Sequence, residues 1–246
     1  VKNLFGLYNA TRDVVFARPG ITLPQSVYFD GQGFRRLLFS SDGAQLYGSL
    51  SQGDHDLSLT VSAGRGITAN EDEERQLFGA PFPGDIQFSN FRVARLQDEI
   101  SGGAWRFALS HLQTQLSLEP DPGVSVSGQV DFHLYALSAQ RNAEHYSLTA
   151  EYLLQTSKGS FSQTGPIKNK GEGAYLQADY RFIPRWSAML RYDLSFTDRN
   201  DRNGREFTAQ TGGDRHSQFA KDTVGGLSWR PDEHWGVWGE YHLIDG

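Results

Sequence analysis

Trp186-Ser187-Ala188-Met189-Leu190-Arg191-Tyr192-Asp193-Leu194-Ser195-Phe196-Thr197 alternates with a period of two. The even positions are all apolar, and Met189 is the only apolar residue at an odd one. Successive side chains of a strand point to opposite faces, so the stretch predicts a strand with one apolar and one charged face. A strand of roughly 9–11 residues, tilted by about 45°, crosses the hydrocarbon layer of a membrane. The same pattern recurs on both sides. Tyr146, Leu148, Ala150, Tyr152 and Leu154 oppose Ser147, Thr149, Glu151 and Gln155, while Leu176, Ala178, Tyr180 and Phe182 oppose Gln177, Asp179 and Arg181. Trp235, Val237, Gly239, Tyr241 and Leu243 oppose Gly236, Glu240 and His242. Less regular candidates lie near 44–52, 57–65, 87–96, 103–116, 128–139 and 220–230.

The connections alternate in length. Short ones lie near 53–56, 101–103, 141–144, 183–185 and 231–234; long polar ones lie at 9–42, 66–86, 117–127, 158–171 and 198–219. Short turns at one end and long loops at the other are the layout of an outer-membrane barrel, whereas a soluble β-sandwich gives no reason for loop length to follow strand parity. Trp105, Tyr146, Trp186, Trp229 and Trp235 fall at strand ends, as interfacial girdles require. The expected fold class is therefore all-β, a transmembrane antiparallel β-barrel forming one domain over residues 1–246. About eleven strands are countable, the first a stub near residues 1–9. Single-chain bacterial barrels have even strand numbers, so the expectation is a part of a larger barrel, incomplete at both ends.

Composition agrees. Among 246 residues are 16 Phe, 10 Tyr, 5 Trp and 27 Gly, yet the mean hydropathy is only -0.51. A wet lumen with a thin lipid-facing band needs that mixture. The net charge of -6 argues against a nucleic-acid partner, which would need a basic face. The absence of cysteine removes disulfides, thiolate zinc sites and cysteine nucleophiles together.

The phrases Val1-Lys2-Asn3-Leu4-Phe5-Gly6-Leu7-Tyr8-Asn9, Thr11-Arg12-Asp13, Arg18-Pro19, Leu23-Pro24-Gln25-Ser26-Val27-Tyr28-Phe29-Asp30 and Ser41-Asp42-Gly43 open the chain. With Leu137-Ser138-Ala139-Gln140 and Ser147-Leu148-Thr149-Ala150-Glu151-Tyr152 further on, the chain resembles the proteobacterial porin-like outer-membrane proteins, the group holding general and phosphate-selective porins. The resemblance implies a barrel of about sixteen strands, often trimeric, with one long loop folded into the pore.

In that reading the loop 9–42 narrows the pore, and Arg12, Arg18, Arg35 and Arg36, set against Asp13 and Asp30, attract anionic solutes. The competing reading is a surface loop whose arginines meet neighbouring acids or lipopolysaccharide. Glu151, Asp179, Arg181, Arg191 and Asp193 are expected to face the lumen, where such charges cross-pair between strands. Glu71-Asp72-Glu73-Glu74 is expected to be a solvated charge run rather than a divalent-cation site. The stretch 198–204 fails as a calcium loop, since Arg199 takes the first ligand position and Gln210 the closing one. No nucleophile elbow or phosphate loop is present in the sequence, and no cofactor is expected. The function expected is a passive channel for small hydrophilic solutes, not an enzyme. Its partners would be outer-membrane lipid, lipopolysaccharide and further copies of the chain. The rivals are a scaffold barrel on which other outer-membrane proteins dock, and a barrel hydrolase.

Overall fold

The computed structural model describes residues 1–11, 18–29, 34–78, 82–162 and 165–246. Ten antiparallel strands form one sheet in chain order: β1 (Asp42–Gln52), β2 (His55–Arg65), β3 (Gly84–Ile100), β4 (Trp105–Pro120), β5 (Gly128–Asn142), β6 (Tyr146–Phe161), β7 (Gly165–Ile183), β8 (Trp186–Phe196), β9 (Phe219–Trp229) and β10 (Val237–Asp245). Each strand pairs with its chain neighbour, so the sheet is an up-and-down meander. β1 and β10 are its two edges. Short helices punctuate the connections: α1 (Tyr8–Thr11), α2 (Gln25–Tyr28), α3 (Phe34–Phe39), α4 (Glu71–Phe78) and α5 (Arg205–Thr211).

The period-two stretches lie on strands, with two departures. Residues 1–8 form no sheet strand. Their one strand-like contact is the isolated bridge Lys2↔Ser40, and the segment turns inward at Gly6, whose φ of 63° few side chains tolerate. The connection expected at 158–171 is also short: β6 and β7 pair from Tyr146↔Tyr180 up to Phe161↔Gly165, leaving only 162–164 between them. This hairpin tip is polar and carries Gly159, Gly165 and Gly171, yet its pairing is continuous.

The sheet is inverted relative to a soluble protein. Leu190 is 61% exposed on the outer face of β8 while its neighbour Arg191 is 1% exposed on the inner one. Leu137, Leu148, Leu176, Leu227 and Tyr241 are likewise exposed. Ser138, Thr149, Glu151, Gln177, Asp193 and Asp222 are buried. In water this arrangement would expose a large apolar band; in a bilayer it is favoured, because lipid takes the outer face and backbone groups of the inner strands are satisfied between neighbours.

The strand register draws the upper edge of the band. Leu109, Leu137, Tyr152 and Ala174 align across β4 to β7. Four residues towards the loop end, still on the outer face, the row is Gln113, His133, Thr156 and Lys170. At the turn end Trp105, Tyr146, Trp186, Trp229 and Trp235 gather, with Trp186 and Trp229 stacked at 5.7 Å across β8 and β9.

The described residues before β1 lie on the inner face. Phe5, Leu7, Tyr8, Leu23, Val27, Tyr28, Leu37 and Phe39 form one buried cluster with Phe88, Leu112, Leu134, Leu153 and Tyr175 of the wall. α2 packs against β6, β7 and β8.

Candidate functional site

The N-terminal segment meets the inner wall through two sets of carboxylates. The first centres on Glu151. Thr149, Glu151 and Leu153 share the inward side of β6, and Glu151 is only 2% exposed. Its carboxylate accepts hydrogen bonds from the Leu7 amide at 2.9 Å, from the Tyr28 and Tyr175 hydroxyls at 2.5 Å each, and from the Ser138 hydroxyl. The Tyr28 hydroxyl in turn accepts from the Tyr8 amide at 2.9 Å, and the Tyr8 hydroxyl donates to Thr149 Oγ1 at 3.0 Å. Gly6 donates its amide to Ser110 on β4. A Cβ at Gly6 would stand 2.3 Å from the Tyr28 oxygen and 2.9 Å from Glu151, so the chain passes this point only as glycine. Four donors from three parts of the chain satisfy one buried carboxylate, which is how such a group is tolerated away from water.

The second set lies on β8 and β10. Arg191 donates to the Thr22 carbonyl at 2.9 Å and to Thr22 Oγ1 at 2.8 Å. Asp193 accepts from the Gln25 amide at 2.7 Å. Glu240 accepts from the Ile21 amide at 2.6 Å, and from the amide and hydroxyl of Thr22 at 3.1 and 2.9 Å. The segment is thus tied to the wall from β4 across to β10.

Glu151, Arg191 and Asp193 face inward as their parity predicts, but they hold the segment instead of pairing across strands. Asp179 and Arg181 are on the same face at the turn end, where Asp179 accepts from Gln177 and Arg181 donates to the Glu144 carbonyl at 2.6 Å. Ser138, Tyr175, Ser110 and Glu240 were not singled out as site residues in the sequence. Only Glu240 carried a signal, as a charged residue on the polar side of the 235–243 alternation.

Among the described arginines of the loop 9–42, Arg18, Arg35 and Arg36 do not converge. Arg12 and Asp13, like Asp30, lie outside the described residues. Arg18 donates to the Ile21 carbonyl at 3.1 Å and stands at the turn end. Arg35 bonds the Tyr28 carbonyl and Asn9 Oδ1, with its guanidinium 5.5 Å from the Phe39 ring centroid. Arg36 reaches towards α4 and grips Glu73 with two nitrogens, Nε at 2.6 Å and Nη2 as an ion pair. Burial raises the Glu73 carboxyl, but hydrogen bonds from Arg36 and the Asn70 amide, together with the Arg36 charge, outweigh it and hold the group below the ordinary range. The acidic run is the first turn of α4, with Glu71 and Asp72 solvated as expected and the other two turned inward. Glu73 and Glu74 are buried, and Glu74 accepts from the Phe82 amide, while Glu71 and Asp72 share Arg75. Carboxylates in a first helical turn also meet the positive end of the helix dipole.

Arg18 joins residues from the strand ends around a cavity of about 360 Å³ at the turn end of the inner face. Arg181, Arg185 and Arg230 line it with Asp179 and Glu144. Four guanidinium groups against two carboxylates make the lining of this cavity basic.

No protein-family model matches the chain, and no characterised protein matches it in sequence. Among solved structures it is similar to the outer membrane channel DcaP of Acinetobacter baumannii, with 12% identity and a TM-score of 0.54 over 83% of this chain and 56% of that one. The chain thus spans about half the length of that channel. The likeness is one of barrel fold and does not reach the general or phosphate-selective porin types suggested by the sequence phrases. With an apolar belt on its outer face, buried charges on its inner face and a ten-stranded meander, the chain has the fold of an outer-membrane barrel wall.

Proposed function

We propose that this chain forms the wall of a passive, non-catalytic channel in the bacterial outer membrane. It would pass small hydrophilic solutes, with the described part of the segment before β1 narrowing the lumen. One observation carries the reading: the inner face is polar where the outer is apolar, and the segment tied to it leaves an arginine-lined cavity at the turn end. The fold likeness to an outer membrane channel supports it. Arg18, Arg181, Arg185 and Arg230 would favour anions at this mouth, because in confined water the effective dielectric falls from about 80 towards about 20. The same reading accommodates a homo-oligomer, such as a trimer, with its belt in contact with lipid.

Planar-bilayer recording tests both levels. The chain should give stable conductance steps, and their absence would remove the channel reading. Arg181→Gln/Arg185→Gln should move the reversal potential in a salt gradient from anion towards cation preference. The shift should shrink at 1 M salt, where screening shortens to about 3 Å. A double variant with the unaltered reversal potential would show that this mouth does not select.

A further inference from the structure

Above the apolar belt, the outer face of β6 and β7 carries three lysines. Lys158 and Lys168 are directly opposite each other, and Lys170 stands two residues along on the same face, opposite Thr156. All three are exposed. Like charges facing each other across a strand pair repel. Among the described residues none of the three ammonium groups has an ion pair or hydrogen bond. The two nearby carboxylates on this face are engaged elsewhere. Asp131, opposite Lys158, accepts from Gln115 at 2.7 Å, and Glu172 is held by Arg202 and by the Tyr152 hydroxyl at 2.9 Å. The connection after β8 adds Arg199, whose amide donates to the Lys170 carbonyl at 2.8 Å. Three lysines without an ion pair among the described residues, with Arg199 beside them, therefore sit on a chain whose net charge is -6.

Its height is as informative as its charge. Leu154, Tyr152, Ala150 and Leu148 run down the same face of β6 beneath Lys158, and Ala174, Leu176 and Ala178 down β7 beneath Lys170. The lysines are on the side of the long connections 66–83 and 197–218, the extracellular side in such barrels. An occupant that meets both features at once has acyl chains below and phosphates at the belt's edge. A free phosphate uses only the upper half of this surface.

We propose that Lys158, Lys168 and Lys170 bind the phosphate groups of lipopolysaccharide in the outer leaflet, with its acyl chains lying on the belt beneath. The inference rests on the outer-membrane reading but not on conduction.

The test is titration of the detergent-solubilised full chain with fluorescent lipopolysaccharide, intact and enzymatically dephosphorylated. Wild-type protein should bind the dephosphorylated form on the order of 100-fold more weakly, about fivefold for each cation near an anionic surface. Lys158→Ser/Lys168→Ser/Lys170→Ser should lose a similar factor for the intact form while keeping its circular dichroism, and Lys221→Ser should bind as wild type does. Equal affinity of the wild type for the two forms would overturn the proposal without any variant. So would wild-type affinity in the triple variant, or displacement of lipopolysaccharide by equimolar inorganic phosphate. A protein that conducts but ignores the phosphates overturns this inference alone. One that inserts into no bilayer overturns the reading beneath it.

Discussion

β4 and β8 belong to the same sheet and present opposite chemistry to the lumen. On β8 the inner side chains around the centre are Met189, Arg191 and Asp193, and the outer ones are Leu190 and Tyr192. On β4 the turn-end half resembles this, with Trp105, Phe107 and Leu109 exposed outside. Beyond His111 the faces exchange character. Leu112, Leu116 and Leu118 are buried inside, while Gln113, Gln115 and Ser117 point out. The N-terminal segment explains the contrast. It reaches β8 through backbone amides, a carbonyl and a hydroxyl, which need charged partners, and, apart from the ties at Ser110 and Glu151, reaches β3 to β6 with rings and aliphatic chains, which need apolar ones. The inner face is shaped by what lies on it, not by water alone.

The comparison can be broken most severely at Glu151. Glu151→Ala leaves four buried donors without an acceptor and should cost the docked segment roughly 3–5 kcal/mol. Hydrogen exchange at Leu7 and Tyr8 should rise accordingly, with the strand amides of β8 unchanged; continued protection at Leu7 would mean the apolar contacts alone hold the segment. Next comes Leu190→Arg, which should destabilise the barrel by about 2–4 kcal/mol in lipid vesicles if the position lies at mid-bilayer. A wild-type unfolding midpoint in vesicles would contradict the lipid-facing assignment of β8. The smallest effect is expected for Gln113→Leu. It lies in the outer row ending at Lys170, above the belt, and its unfolding midpoint in vesicles should stay within about 0.5 kcal/mol of wild type. A clear gain in stability there would extend the belt upward and sharpen the division of β4 into two halves.

These two strands also show what was legible in the sequence. β8 could be read outright, because its apolar face points to lipid along its whole length and its polar face meets polar partners. β3 and β4 gave broken alternation because both faces are apolar at different heights, and β3 also shifts register between Ser89 and Arg92 beside Asn90, whose φ is 53°. Irregular alternation here marked a covered inner wall, not a missing strand. Inward charges were identified by parity alone, but their role was not, since Leu7, Thr22 and Gln25 are far away in sequence and offer backbone groups that composition cannot flag. The arginines of the opening segment were grouped by proximity in sequence. Its path then sends Arg18 to the turn end and Arg36 to α4.

The long reach of that segment governs the order in which the molecule assembles. Every strand pairs with its neighbour along the chain, so the wall can build hairpin by hairpin through contacts of short sequence separation. The ties of the segment span 104 residues from Gly6 to Ser110, 144 from Leu7 to Glu151 and 219 from Ile21 to Glu240. Loop closure over such distances is slow and goes unrewarded until the distant partner is in place. The segment is therefore the last to find its position, and the final kinetic phase of folding belongs to residues outside the sheet.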